Sequence, residues 1–90
     1  MQLSWLPEAR SDLREIIGYI ADRNPIAAER LNERIEHAAE HLTIAPHAHR
    51  PGRVDGTREV IVHPNYIVIY RVTEGMVWIL SVLHARQQYP

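Results

Sequence analysis

The sequence predicts an α+β fold: an antiparallel, twisted sheet of three to four strands with an N-terminal αα-hairpin packed on one face. Three observations lead there. Apolar residues recur at helical spacing in two stretches of the first half, Pro7 to Asp22 and Pro25 to Leu42. Only the turn "DRNP" separates those stretches, so the two helices must fold back on one another. The last third changes character, to runs of Val, Ile, Tyr and Trp broken by turns of two or three residues, the mark of a meander.

Each element has its own warrant. "QLSWL" (2–6) alternates loosely and reads as a short strand. Pro7 suits a first helical position and Glu8 the positive end of the helix dipole. Ala9, Leu13, Ile16, Ile17 and Ile20 then form one stripe, with Arg10, Asp12, Arg14 and Glu15 on the other side. Asn24 caps the second helix and Pro25 opens it. That helix buries Ala28, Leu31, Ile35, Ala38, Ala39 and Leu42. Its charges meet their own kind at i,i+4 (Glu29 with Glu33, Arg30 with Arg34, Glu36 with Glu40), so burial of the stripe must hold it. "IAPHAHRPGRVDG" (44–56), with two prolines and two glycines, reads as a loop.

Strands follow over 57–63, 66–72 and 76–84. In the second, Ile67, Ile69 and Arg71 oppose Tyr66, Val68, Tyr70 and Val72; in the third, strict alternation sets Trp78, Leu80, Val82 and His84 against Val77, Ile79, Ser81 and Leu83. Both strands are apolar on both faces, as central strands are. Two helices cover one face only. The apolar remainder, roughly several hundred Å², points to a protein partner.

Composition narrows the function classes. Ninety residues make one domain, 1–90. The chain has no cysteine, which excludes disulfides and thiol chemistry. No apolar run reaches the ~18 residues that span a bilayer, and the N-terminus lacks a secretory pattern, so a cytoplasmic protein without membrane contact is expected. Residues 1–45 carry five arginines against eight carboxylates and residues 46–90 five against three, for a net charge of −1. A general nucleic-acid binder would be strongly basic. His37, His41, His47 and His49 are spaced to permit zinc, yet no cysteine or suitably placed carboxylate completes a tetrahedral set, so no metal or other cofactor is expected.

The order strand, αα-hairpin, loop, meander resembles the RelE/ParE toxin superfamily of bacterial toxin–antitoxin pairs, over nearly the whole chain. "PGR…GTRE", "HPNYIVIYRV" and the closing "VLHARQQYP" are similar to the ParE-like branch, as is the pattern Trp5, Ala9, Asp12, Leu13, Ile16, Tyr19 and Ile20. The resemblance implies a toxin neutralised by a cognate antitoxin whose C-terminal segment wraps it, in a hetero-oligomer that binds DNA only through the antitoxin. ParE-like members poison DNA gyrase and are not nucleases; RelE-like members cut mRNA in the ribosomal A site without a metal.

Two sets of candidate residues follow. Arg50, Arg53, Arg58, His84, Arg86 and Tyr89 are the candidate target-binding side chains, because the C-terminal strand and tail of ParE-like proteins are associated with toxicity. Leu13, Ile17, Tyr19, Leu31, Ile35, Tyr70 and Trp78 are the candidate antitoxin contacts. The alternative, a metal-independent endoribonuclease, would draw its base, acid and cations from Arg58, Arg71, His84 and Tyr89. RelE-like nucleases lean on lysines as well, and this chain has none, which favours a protein-binding inhibitor over an enzyme. The structural alternatives are sheet-face ion pairs of Arg58 and Arg71 with Glu59 or Glu74, and a His84–Arg86 pair that caps the sheet and bonds the 50–56 loop.

Overall fold

A computed structural model describes residues 1–88. In chain order the elements are β1 (Gln2–Trp5), α1 (Pro7–Ala21), α2 (Pro25–His41), β2 (Arg50–Pro51), β3 (Arg58–His63), β4 (Tyr66–Thr73) and β5 (Met76–His84). They form one sheet in the order β1-β5-β4-β3-β2, with α1 packed over β5 and α2 over β3. The helices begin as their sequences dictate: prolines open both, and Asn24 Oδ1 accepts from the Ala27 amide at 3.1 Å.

The sheet departs from expectation in two ways. It has five strands and is mixed, because β1 runs parallel to β5, with Gln2 opposite Met76 and Trp5 opposite Ile79. A parallel pair needs a long crossover, which the helical hairpin and the meander together supply. The loop 44–56 also contains β2, two residues that pair with Arg58 and Glu59. Gly52 closes the loop so tightly against Thr57 that a Cβ there would overlap Thr57 Oγ1.

The core lies between the helices and one sheet face. Leu13, Leu31, Ile35, Ala39 and Leu42 meet Val60, Val68, Tyr70, Val77, Ile79 and Val82 there. Val77, Ile79 and Val82 share that face only because β5 carries an extra residue: Ile69 pairs with Ser81 but Tyr70 with Ile79, so Leu80 is bulged out of register. Strict alternation is thereby broken, and His84 lies on the same side as Ile79.

Asp12 holds the bulge from α1. Its Oδ2 accepts from Ser81 Oγ at 2.9 Å and from the Val82 amide at 3.0 Å, satisfying backbone that the bulge removes from the ladder. The opposite sheet face is less open than its sequence implies. Ile67, Ile69 and Leu83 are buried against one another and Leu80 without any helix above them, leaving Ile61 as the exposed large aliphatic side chain of that face, at 59%.

Gly18 sits in α1 with nothing within 4 Å of the place a Cβ would occupy. Helical glycine costs about 0.5–1 kcal/mol against alanine. Gly18→Ala is therefore expected to raise the melting temperature by several degrees, since ~1 kcal/mol is worth about 4–8 °C in a domain of this size. A calorimetric scan showing a fall would mean that the site is not open.

Candidate functional site

The candidate side chains divide between the two ends of the sheet. At one end, Glu59 on β3 is 3% exposed and gathers two arginines. Its Oε1 accepts from Arg50 Nη2 at 2.9 Å and Nε at 3.2 Å; its Oε2 accepts from the Arg53 amide at 3.3 Å and lies 3.9 Å from Arg53 Nε. Both arginines remain about half exposed. Arg71 lies on the same face, opposite Trp78, with its Nη1 3.3 Å from where a Cβ on Gly56 would project; Gly56 has φ +81°, so that turn admits only glycine without strain. Arg58 points to the helix side opposite Tyr70, and its Nη1 donates to the His49 carbonyl at 2.8 Å.

The ion pairs expected of Arg58 and Arg71 with Glu59 are thus replaced by pairs with Arg50 and Arg53. Because the two arginines can re-solvate, Glu59→Gln is expected to cost only about 1–2 kcal/mol, while speeding amide exchange across residues 50–56. Unchanged exchange there would show that Glu59 does not fasten the loop.

His84 and Arg86 lie at the other end. His84 pairs across the sheet with Tyr66, ring centroids 5.3 Å apart and nearly perpendicular, and its Nδ1 accepts from the Arg86 amide at 3.1 Å. The expected bond to the 50–56 loop is absent: at about 3.3 Å per residue, the four positions from Tyr66 to Tyr70 set His84 roughly 13 Å along the sheet from Arg58. Tyr89 lies outside the described residues. His84 instead borders a cleft of about 360 Å³ whose walls include Asp12, Glu15, Tyr19 and Tyr66. This acidic, aromatic side was missed by sequence reasoning. Asp12 stood in the N-terminal pattern of the resemblance, and a mid-helix aspartate, poor in propensity, was the further signal that it had a task.

The candidate antitoxin contacts divide by burial. Leu31, Ile35 and Tyr70, expected as antitoxin contacts, are buried in the helix–sheet core and present little or no surface. Tyr70 also donates to the Pro46 carbonyl at 2.7 Å; burial raises its phenol pKa, with the Arg58 guanidinium pulling the other way. Leu13, buried as well, shows only an edge. With Ile17, Gly18, Asn32, Arg14 and Glu36 it lines a groove of about 550 Å³ along the outer side of the hairpin. Tyr19 is 62% exposed beneath the Arg23 guanidinium, 4.0 Å from its ring centroid. Trp78, half-buried, donates from Nε1 to Thr73 Oγ1 at 2.8 Å.

Among the described residues no set of three or more His, Asp or Glu side chains converges as a metal site, and no helix is long and apolar enough to cross a membrane. The described candidate residues lie in grooves and at two charged ends of the sheet.

Comparison with known proteins gives this geometry a context. The family model described as the ParE toxin of type II toxin–antitoxin systems, parDE, matches residues 3–89. The Sinorhizobium fredii protein Y4kP, described as a toxin, is 40% identical over 90 residues, covering 99% of this chain and 93% of its own. Toxin RelE2 of Caulobacter vibrioides is 36% identical over 84 residues, 93% of this chain and 94% of its own. In fold, the chain is similar to one in the chromosomal ParDE system of P. aeruginosa, with a TM-score of 0.82 at 24% identity over 93% of this chain and 95% of that one. The YoeB/ParE toxin of Agrobacterium tumefaciens follows, with a TM-score of 0.67 at 17% identity over 93% and 98% of the two chains.

Proposed function

Since the chain belongs to the ParE toxin family of type II toxin–antitoxin systems, we propose that it inhibits DNA gyrase by protein contact and is silenced by a cognate antitoxin. The observation that carries this reading over RNA cleavage is the separation of the cations. Arg58 and Arg71 face opposite sides of the sheet, and His84 sits a further ~13 Å along it, so they do not surround one phosphate. Target contact then falls to the exposed sheet ends, with Arg50, Arg53 and Arg58 at one and His84 and Arg86 at the other, and Tyr89 following in the tail. Antitoxin contact falls to the outer hairpin groove, where Ile17 and the edge of Leu13 offer apolar anchors to an amphipathic segment.

Purified chain at micromolar concentration is expected to block gyrase supercoiling, and addition of the antitoxin to restore it. Full supercoiling with a folded chain would reject gyrase as the target. The name of the relative RelE2 favours keeping mRNA cleavage as the second reading. Primer extension on translated mRNA decides it: A-site cuts would overturn the inhibitor reading. The antitoxin is also expected to raise the melting temperature by mass action.

A further inference from the structure

A groove of about 650 Å³ runs between the outward side of α2 and the edge of β3. Arg30, Glu33, Arg34, His37 and His41 on α2 and His49 in the following loop form its walls; Val60, Ile61 and Val62 line the strand side and carry no charge. A smaller recess continues it past Arg30 and Arg34 to His63. Among the described residues, the one carboxylate lining the groove is Glu33. Glu36, on the same helix, is turned away to Arg10 at 2.9 Å. Two guanidiniums and three imidazoles thus surround a single carboxylate, on a chain whose net charge is −1.

The strand side of the groove is open too. β2 covers β3 only at Arg58 and Glu59. The Thr57 carbonyl accepts from the Gly52 amide on that edge, and two-residue alternation turns the N–H and C=O of Ile61 the same way, beyond the reach of β2. The Ile61 side chain is itself largely in solvent. A bulge at Val62 shortens the usable edge, so charge must supply most of the affinity.

We propose that this groove docks an extended, carboxylate-bearing segment of a second protein, whose main chain pairs at Ile61 and whose acidic side chains meet Arg30, Arg34, His37, His41 and His49. The proposal goes beyond the toxin–antitoxin reading, since neither the hairpin groove nor the C-terminal end takes part. A nucleic-acid strand would match the cations but has no amide ladder to offer the strand edge.

Docking is pH-dependent. An acidic partner is drawn to His37, His41 and His49 only while they carry protons, so acid strengthens the contact.

The test titrates the labelled full chain with a peptide of alternating valine and glutamate, its valine–lysine counterpart, and oligothymidylate, following amide and imidazole resonances. Expected are shifts at Ile61, His37, His41 and His49 with the acidic peptide, binding about tenfold tighter at pH 5.5 than at 7.5, and weakening with salt. His37→Gln with His41→Gln should remove most of the pH dependence at unchanged melting temperature; Arg34→Gln should weaken binding at both pH values if that double variant fails to fold. Resonances unmoved by millimolar acidic peptide at pH 5.5, or stronger binding of the lysine peptide or oligothymidylate, would overturn the proposal.

Discussion

Tyr70→Ala is expected to remove about 3–5 kcal/mol, close to half of the stability a small domain holds. Tyr70 is fully buried on a central strand, packed within the helix–sheet core, and ties β4 to Pro46 in the long loop through its hydroxyl. Truncation leaves a ring-sized cavity between sheet and helices and orphans the Pro46 carbonyl. Tyr70→Phe separates the two contributions: it keeps the packing and should cost only about 0.5–1.5 kcal/mol. The phenylalanine variant also carries a pH signature. Burial raises the phenol pKa in the folded state, so the tyrosine's contribution is complete below about pH 10 and is lost as pH climbs through the raised folded value. Urea unfolding should therefore show the wild type losing stability above pH 10 more steeply than Tyr70→Phe. Parallel alkaline profiles would count against the buried phenol.

Asp12→Ala should cost about 1.5–3 kcal/mol, far more than most half-exposed polar residues. One carboxylate oxygen satisfies both the Ser81 hydroxyl and the Val82 amide across the helix–sheet interface, and no other described side chain reaches that amide. Asp12→Asn keeps an acceptor oxygen and should lose roughly half as much. Hydrogen exchange at Val82 gives the site-specific reading, rising in the alanine variant. A loss below ~0.5 kcal/mol with Val82 still protected would show that the bulge is satisfied some other way. Because the bulge sets the face on which His84 emerges, Asp12→Ala should also loosen the His84–Tyr66 contact and, on the gyrase reading, weaken inhibition.

The hairpin and the meander were legible because their punctuation is local: Pro7, the Asn24-Pro25 cap, Pro64-Asn65 and Glu74-Gly75 each fix a boundary within a few residues. The parallel placement of β1 was not, since alternation in "QLSW" carries no information about which strand it meets or in which direction. The Leu80 bulge was equally invisible, and one extra residue moved His84 from the expected company of Trp78 to that of Ile79. Four of the seven supposed antitoxin contacts, Leu13, Leu31, Ile35 and Tyr70, proved buried in the chain's own core. A stripe of apolar residues announces burial and does not say against what. Glu59 was given the wrong partners, because Arg50 and Arg53 sit in a loop whose path no periodicity predicts.

The pairing of Gln2 with Met76 joins the opening residues of the chain to its last strand. During synthesis β1 stays single until β5 has been made, because that is its neighbour in the sheet. A pairing this distant closes slowly. The molecule therefore matures late, and the interval before β1 zips shut is the one in which a protease or a companion chain meets it unfinished.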